Sequence, residues 1–333
     1  MLKEQILEIS RQNTIGELSP WFDRALDKLI AEEAFNTEEQ LVIMNELLVK
    51  MLQNYKEKAN ISNVVLGMSG GVDSALTAAL FNKAGWTVKP VLMPILQDPI
   101  ETHRGRTACF ELGLIPICID LTEAFQALTG QLSRVDPDIF PAQDKAAKVR
   151  QGNVRARLRM ITLYNFAAKY GGLVASTDNF SELAAGFWTL HGDVGDLSPI
   201  QSLSKSWEVP MLAKINNVPE SVWRAKPTDG LGVDQGDEAQ FGFSYLEFDI
   251  MLLMLKRLYD KHGLACYAEQ SLEGMLNLSD DRAKEVFHSV MTRVKSTWFK
   301  RHNPFNLNHP FESAERYDFL NDIDKHYGSN GLL

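Results

Sequence analysis

The chain has 333 residues, 45% of them hydrophobic and 23% charged, with a formal net charge of −9. These values exclude a disordered chain and argue against a generally nucleic-acid-binding surface, although a local basic patch survives them. No stretch reaches the apolar length needed to cross a bilayer. The three cysteines, Cys109, Cys118 and Cys266, are scattered without C-x-x-C spacing, so a reducing, cytoplasmic setting and no zinc site are expected.

In chain order, residues 1–56 read as helical throughout, followed by an apolar run at 61–66 (ISNVVL) that predicts a buried strand. Residues 67–74 (GMSGGVDS) come next, and 75–83 (ALTAALFNK) have helical composition. Between strand and helix, Gly70 and Gly71 let the backbone approach an anion, Ser69 and Ser74 offer hydroxyls, and the helix aims its unpaired N–H groups at the same point. The segment is neither a Walker loop, lacking Gly-Lys-Ser/Thr, nor a G-x-G-x-x-G fingerprint. An ordinary glycine-rich turn is the alternative. Beyond it, 87–94 (TVKPVLMP) and 115–120 (IPICID) predict strands around a helix at 104–112. A helix follows from 121, a long one at 152–170, and a fourth strand at 172–176 (GLVAS). That alternation predicts an α/β fold, an open parallel sheet covered by helices on both faces. Ligands collect at the carboxyl ends of such strands, where 67–74 and 176–182 both fall. Residues 305–333 read as polar and weakly structured.

The second constellation is STDNFSE (176–182), then Gly186-Phe187-Trp188-Thr189, His191 to Asp196, and Ser204-Lys205. Asp73 and Glu182 are the natural carboxylate pair for Mg²⁺, which takes oxygen ligands and bridges phosphates. Lys205 would neutralise charge on transferring phosphates. Each residue also has an ordinary reading. Asp178 or Ser181 caps a helix, Asp193 belongs to a turn, Lys205 is a solvated charge, and Phe187 and Trp188 are core aromatics. On the long helix, Arg155 and Arg159 share a face while Arg157 points elsewhere, so Arg157 stands apart as a functional candidate; the alternative is a solvated basic helix.

SGGVDS resembles the PP-loop of ATP pyrophosphatases. The succession SGGVDS, NVRARLRM (153–160), STDNFSE, GFWTLHGDVGD (186–196), SLSK (202–205), KPTDGL (226–231), DEAQFGFSYLEFD (237–249) and FKRHNP (299–304) resembles ammonia-dependent NAD synthetase over three quarters of the chain. The resemblance implies an adenine nucleotide alpha-hydrolase-like sheet and a homodimer with deamido-NAD at the subunit interface. It further implies a two-step reaction: ATP adenylates the nicotinate carboxylate and releases pyrophosphate, then ammonia displaces AMP. By the same resemblance, Ser69, Gly70, Gly71 and Ser74 hold ATP, Asp73 and Glu182 ligate Mg²⁺, and Thr177, Lys205 and Thr228 lie near the phosphates. Asn153, Arg157, Phe187, Trp188, Asp193, Lys300 and Arg301 meet deamido-NAD, with Asp193, Lys205 and Thr228 expected to be catalytic.

The expected organisation is a helical extension at 1–56 packed on the core or a dimer interface, a catalytic domain at 57–305 and a tail at 306–333. The chain departs from the family at Asp193-Val194-Gly195-Asp196, where Val194 replaces a glycine and the loop is one residue shorter; this puts Asp196 in question. The stretch 94–103 matches the family loosely, with Gln97 a candidate there. The roughly 60 residues before the loop are short for an amidase domain, so free ammonia is the expected nitrogen donor, and no nucleic-acid or membrane partner is expected. The alternatives are another PP-loop ligase, GMP synthetase-like or tRNA-modifying, or a non-catalytic nucleotide-binding module.

Overall fold

β1 (Asn63–Gly67) sets the architecture by alternation. Val64 and Leu66 face one core cluster, while Val65 faces a second with Val91, Met160 and Leu163. A strand with apolar residues on both faces must lie between two layers. The computed structural model describes residues 2–10, 17–141, 144–227, 236, 238, 241–263 and 269–302. Within these, β2 (Thr87–Leu92), β3 (Ile117–Cys118) and β4 (Gly172–Val174) join β1 in a parallel sheet of order β3-β2-β1-β4. The order reverses at β1, since β2 lies on one side and β4 on the other. The carboxyl ends of β1 and β4 therefore open the crevice at which such sheets bind ligands.

One layer contains α4 (Val72–Lys83), flanked by α3 (Glu38–Ala59) and α9 (Glu208–Ile215). Every α4 residue from Ser74 to Phe81 is buried, as expected of a helix covered all round. The opposite layer is α7 (Lys145–Tyr170) lying on β1 and β4, with α6 (Thr122–Val135) beside it. α5 (Pro99–Glu111) packs on β2 and α4. α5 and α7 begin earlier than composition predicts, because capping side chains set their starts. Asp98 accepts from Ile100 N–H before α5, and Asp144 accepts from Ala146 and Ala147 N–H before α7. The third strand is shorter than the predicted 115–120. Its backbone continues beside β2 through Ile119 N–H to Leu92 O, but Ile115 is 87% exposed at the sheet edge.

At the amino end, α1 (Leu2–Ser10), α2 (Pro20–Ala31) and α3 pack on the core. Ile6, Trp21, Phe22, Leu26 and Leu29 join the core cluster that holds α4. α3 runs on to Ala59, ended by Asn60 in the left-handed conformation. Three further helices complete this side: α8 (Phe180–Ala185), α11 (Tyr245–His262) and α13 (Asp281–Ser296), which pack on one another. α10 (Glu220–Trp223) and α12 (Glu269–Leu276) fill the connections, and a 3₁₀ turn, Trp298–Arg301, follows α13. The tail at 306–333 lies outside the described residues.

Candidate active site

A cavity of about 450 Å³ opens where β1 and β4 end. Its floor is the loop before α4. Gly70 takes φ +91°, and a Cβ there would lie 2.1 Å from Glu101 O, so only glycine admits the approach of α5. Ser69 Oγ accepts from Gly71 N–H and lies 3.2 Å from Ser74 Oγ, which donates to Gly71 O. The N-cap of α4 is Gly71, which supplies no side-chain acceptor, so the first turn keeps its positive end toward the cavity.

Three charges meet above this loop. Lys205, only 6% exposed, contacts Asp73 and lies 3.4 Å from Glu182, with the Tyr245 ring 5.7 Å away. Asp73 stands in the first turn of α4 and Glu182 in the first turn of α8. Asn179 links them: its Oδ1 accepts from Glu182 N–H as the N-cap of α8, and its Nδ2 donates to Asp73 Oδ1 at 3.0 Å. The N-cap is thus Asn179, not Asp178 or Ser181. Asp178 is a buried wall residue that accepts from Gln201 and Ser198; burial pushes its carboxyl up, and the charge of Asp73 adds to this. The donor chemistry fits Mg²⁺: two hard carboxylates turned to the one point that an ammonium reaches, leaving phosphate and water to complete a shell.

The opposite wall holds Asn153, Arg159, Phe187, Trp188, Asp193 and Lys300. Thr189 fastens two of these, its Oγ1 donating to Asn153 Oδ1 at 2.7 Å and its N–H to Asp193 Oδ2 at 2.6 Å. Solvent reaches Asp193 through the cavity, yet protein surrounds it. That enclosure pushes its carboxyl up, while the Thr189 hydrogen bonds and the charges of Arg159 and Lys300 pull the other way. Lys300 donates to Gly186 O and Trp188 O and lies 5.3 Å from the Trp188 ring. Burial lowers its pKa and Asp193 opposes this. Phe187 divides its ring between the cavity and a contact with Phe241 at 4.7 Å.

Most of the residues singled out in the sequence therefore converge. Ser69, Gly71, Asp73, Ser74, Asn153, Thr177, Glu182, Phe187, Trp188, Asp193, Lys205 and Lys300 line the cavity, with Gly70 shaping its floor from beneath. Two do not line it. Arg157 is exposed, its Nε donating to Leu190 O at 3.2 Å. Arg301 Nη1 donates to Leu183 O, Ala184 O and Thr297 Oγ1, and its Nη2 to Val294 O. Thr228 lies outside the described residues. Arg159 is a wall residue that sequence reasoning passed over, its guanidinium donating to Met93 O and to Gln97 Oε1 at 2.8 Å. The signal was present: Val149, Asn153, Ala156, Met160 and Leu163 recur at helical spacing along the cavity face of α7, and Arg159 sits beside that row while Arg157 turns away.

The loop after Trp188 accommodates Val194. Left-handed backbone falls at His191 (φ 60°), not at Val194. Glycine is required at Gly192, where a Cβ would lie 2.9 Å from Ala156 Cβ, and at Gly195, where it would lie 2.5 Å from Val174 O. Asp196 anchors the loop instead of facing the cavity. It accepts from Val174 N–H and from Tyr164 Oη at 2.7 Å, and burial with this carboxylate pushes the Tyr164 hydroxyl up to about 12.

The NAD synthase family model matches residues 43–304. The NH(3)-dependent NAD(+) synthetase of Finegoldia magna is 36% identical over 210 residues, 62% of this chain and 83% of that protein. Among solved structures, the NH3-dependent NAD synthetase of Campylobacter jejuni, in complex with a nitrate ion, aligns with TM-score 0.61 and 27% identity over 82% of this chain and all of that one. The NMN synthetase of Francisella tularensis aligns with TM-score 0.59 and 27% identity over 75% of this chain and 97% of that one.

Proposed function

The chain belongs to the NAD synthase family, and from that premise we propose that it amidates deamido-NAD to NAD, consuming ATP and ammonia and releasing AMP and pyrophosphate. The observation that carries this reading is the convergence on one cavity of an anion-binding helix start, the Asp73–Lys205–Glu182 cluster and an aromatic wall bearing Asp193.

In the first step a nicotinate carboxylate oxygen attacks the α-phosphorus of ATP, the bond to the bridging oxygen breaks, and pyrophosphate leaves. The 69–74 loop and the start of α4 bind the departing phosphates through backbone N–H and the Ser69 and Ser74 hydroxyls. Lys205 places a compact positive charge where negative charge builds, so it acts most in the transition state. Asp73 and Glu182 would hold Mg²⁺, which when bound shields the phosphate oxygens. Thr177 lines the same end of the cavity.

In the second step ammonia attacks the activated carboxyl carbon, the bond to AMP breaks, and the nitrogen gives up a proton. Asp193 is placed to take it, since a carboxylate whose pKa is pushed above the ordinary range is a better proton acceptor. Trp188 and Phe187 supply an apolar face for the pyridine ring and exclude water that would hydrolyse the mixed anhydride. Lys300 holds that face by gripping Gly186 O and Trp188 O.

A homodimer is part of the proposal. α7 sends Asn153 into the cavity, while Arg157 and Ile161, 68% exposed, face outward. A dinucleotide leaving the cavity would cross this helix to reach a partner. A cytoplasmic setting is supported by the free thiols of Cys109 and Cys118, and no helix among the described residues is long and apolar enough to cross a membrane.

The test is product formation by purified protein with ATP, Mg²⁺, deamido-NAD and ammonium. NAD with stoichiometric AMP and pyrophosphate is expected. No AMP under any condition would overturn the reading. AMP with nicotinate mononucleotide, but not with the dinucleotide, would move the acceptor toward the kind named for the Francisella protein.

A further inference from the structure

Three consecutive backbone amides carry the Lys205 ammonium, and each is held by a side chain from a different place. Ser204 N–H donates to Glu208 Oε2 at 2.7 Å, Lys205 N–H to Ser181 Oγ at 3.0 Å, and Ser206 N–H to Asp249 Oδ2 at 3.0 Å. Ser181 Oγ in turn donates to Asp249 Oδ1 at 2.5 Å. Asp249, on α11, thus grips one amide directly and a second through Ser181. Because Ser181 immediately precedes Glu182, the same carboxylate ties the Lys205 segment to the helix that carries Glu182. Asp249, Ser181, Lys205 and Ser206 are all buried.

We propose that Asp249 is a positioning residue for the adenylation step, fixing the Lys205 ammonium against the phosphates by clamping the backbone that bears it to the start of α8. The proposal rests on the adenylation chemistry argued above.

The reason for a carboxylate lies in hydrogen-bond polarity. Both groups that Asp249 meets are donors, and an ionised carboxylate accepts without donating. A protonated acid or an amide would turn a donor onto one of them, and one bond would break or reverse. An ionised carboxylate in a buried site is costly unless each oxygen is satisfied, and here each oxygen accepts a hydrogen bond.

Burial pushes the Asp249 carboxyl up to about 6, the Ser181 and Ser206 hydrogen bonds oppose this, and the charge of Glu208 on α9 adds to it. Several other charged groups on the elements around it have partners of their own. Glu182 on α8 meets Lys205, Glu247 on α11 itself meets Arg282 of α13, Arg293 of α13 lies over the Phe241 ring, and Asp23 and Asp27 on α2 meet Lys3. On α12, Glu273 pairs with His288 of α13.

The experiment follows ATP–pyrophosphate exchange with deamido-NAD and Mg²⁺, without ammonium, so the ammonia–ammonium balance does not enter. The wild type is expected to lose exchange rate as pH falls through about 6. Asp249→Asn is expected to exchange roughly 10- to 100-fold more slowly at pH 8, as a displaced catalytic charge does. Its maximal rate should fall more than its apparent affinity for ATP, and the acid limb should vanish. Ser181→Ala removes the relay and keeps the charge; it should slow exchange in the same way, and the double variant should be no slower than Asp249→Asn alone. Wild-type exchange rates in Ser181→Ala, or in a folded Asp249→Asn that keeps the acid limb, would overturn the proposal. If Asp249→Asn does not fold, Ser181→Ala decides. A wild type that exchanges nothing would count against the adenylation reading itself.

Discussion

Lys205 Nζ stands 3.4 Å from Glu182 Oε1, with Asp73 in contact on its other side, so the ammonium occupies the point that the two carboxylates share. A divalent ion entering that point would meet a like charge. Charges of +2 and +1 about 4 Å apart repel by roughly 8 kcal/mol at an effective dielectric of about 20. Metal and lysine therefore exclude each other unless a triphosphate draws the lysine away. Wild-type protein should bind Mn²⁺ weakly without ATP, and Lys205→Met should bind it at least about tenfold more tightly, since it leaves an unneutralised carboxylate pair. Titration of free Mn²⁺ by electron paramagnetic resonance reads this directly. Equal affinity in the two proteins would mean that the ion seats elsewhere.

Asp193 separates the two chemical steps. It lines the wall rather than the phosphate end, accepts from Thr189 N–H, and has its carboxyl pushed up by the protein around it. Asp193→Asn keeps the shape and removes the proton acceptor. NAD formation should fall by about 10²- to 10⁴-fold while adenylation changes little. The measurable outcome is a ratio of AMP to NAD well above one, as water consumes the activated intermediate. A ratio that stays at one with both products reduced would place Asp193 in adenylation instead.

Much of this site was legible because its residues follow strand ends. Ser69, Asp73, Ser74, Thr177 and Glu182 sit where a parallel sheet presents its loops, and that position can be read from alternation alone. Lys205 was legible only by motif, because composition assigns a lysine to solvent, whereas pairing with Asp73 and Glu182 buries it. Asp249 lay beyond reach. Its partners Ser181 and Ser206 are 68 and 43 positions away in the chain, and only the packing of α11 on α8 brings them together. The direction of Arg157 was open for a different reason: its place on the helix surface depends on which α7 face meets the sheet.

Gly70 makes the floor of the cavity a test of backbone rather than of side chain. Its φ of +91° strains any L residue, and a Cβ would sit 2.1 Å from the Glu101 carbonyl, which cannot swing aside as a side chain does. Gly113, φ +70°, has nothing within 4 Å of its Cβ position. Gly113→Ala should carry only the strain of about 1–3 kcal/mol. Gly70→Ala should cost more and also abolish adenylation, by pushing α5 off the phosphate loop. Thermal unfolding with pyrophosphate exchange distinguishes the two; equal behaviour would show that the α5 contact is dispensable.

Rate and stability should part company at Asp249. Its folded-state pKa of about 6 lies above the ordinary carboxylate value. The folded protein therefore holds this proton more tightly than the unfolded chain does. The stability so gained is complete below about pH 4 and is lost as pH rises through about 6. At pH 8 the wild type carries the whole cost of the buried charge, on the order of 3 kcal/mol, and Asp249→Asn carries none of it. Relative to wild type, the melting temperature of Asp249→Asn should rise between pH 4 and pH 7, even though the variant adenylates poorly. A difference that is flat with pH would mean that Asp249 keeps an ordinary pKa.

Lys300 and Arg301 are adjacent in sequence and divide their work. Lys300 reaches into the cavity, taking Gly186 O at 2.7 Å and lying 5.3 Å from the Trp188 ring. Arg301 turns back to the last carbonyls of α8 at Leu183 and Ala184 and to Val294 O on α13, where a fixed positive charge also suits the negative ends of both helices. Arg301→Met should cost about 1–3 kcal/mol of stability and leave the KM for deamido-NAD near its wild-type value. Lys300→Met should do the reverse, raising that KM several-fold with a smaller change in melting temperature, because the Trp188 face loses its tether while both helix ends stay capped. Measured together, the pair assigns each charge. If Arg301→Met alone raised the KM, the guanidinium would have to leave its carbonyls when substrate binds, and α8 with Glu182 would move with it.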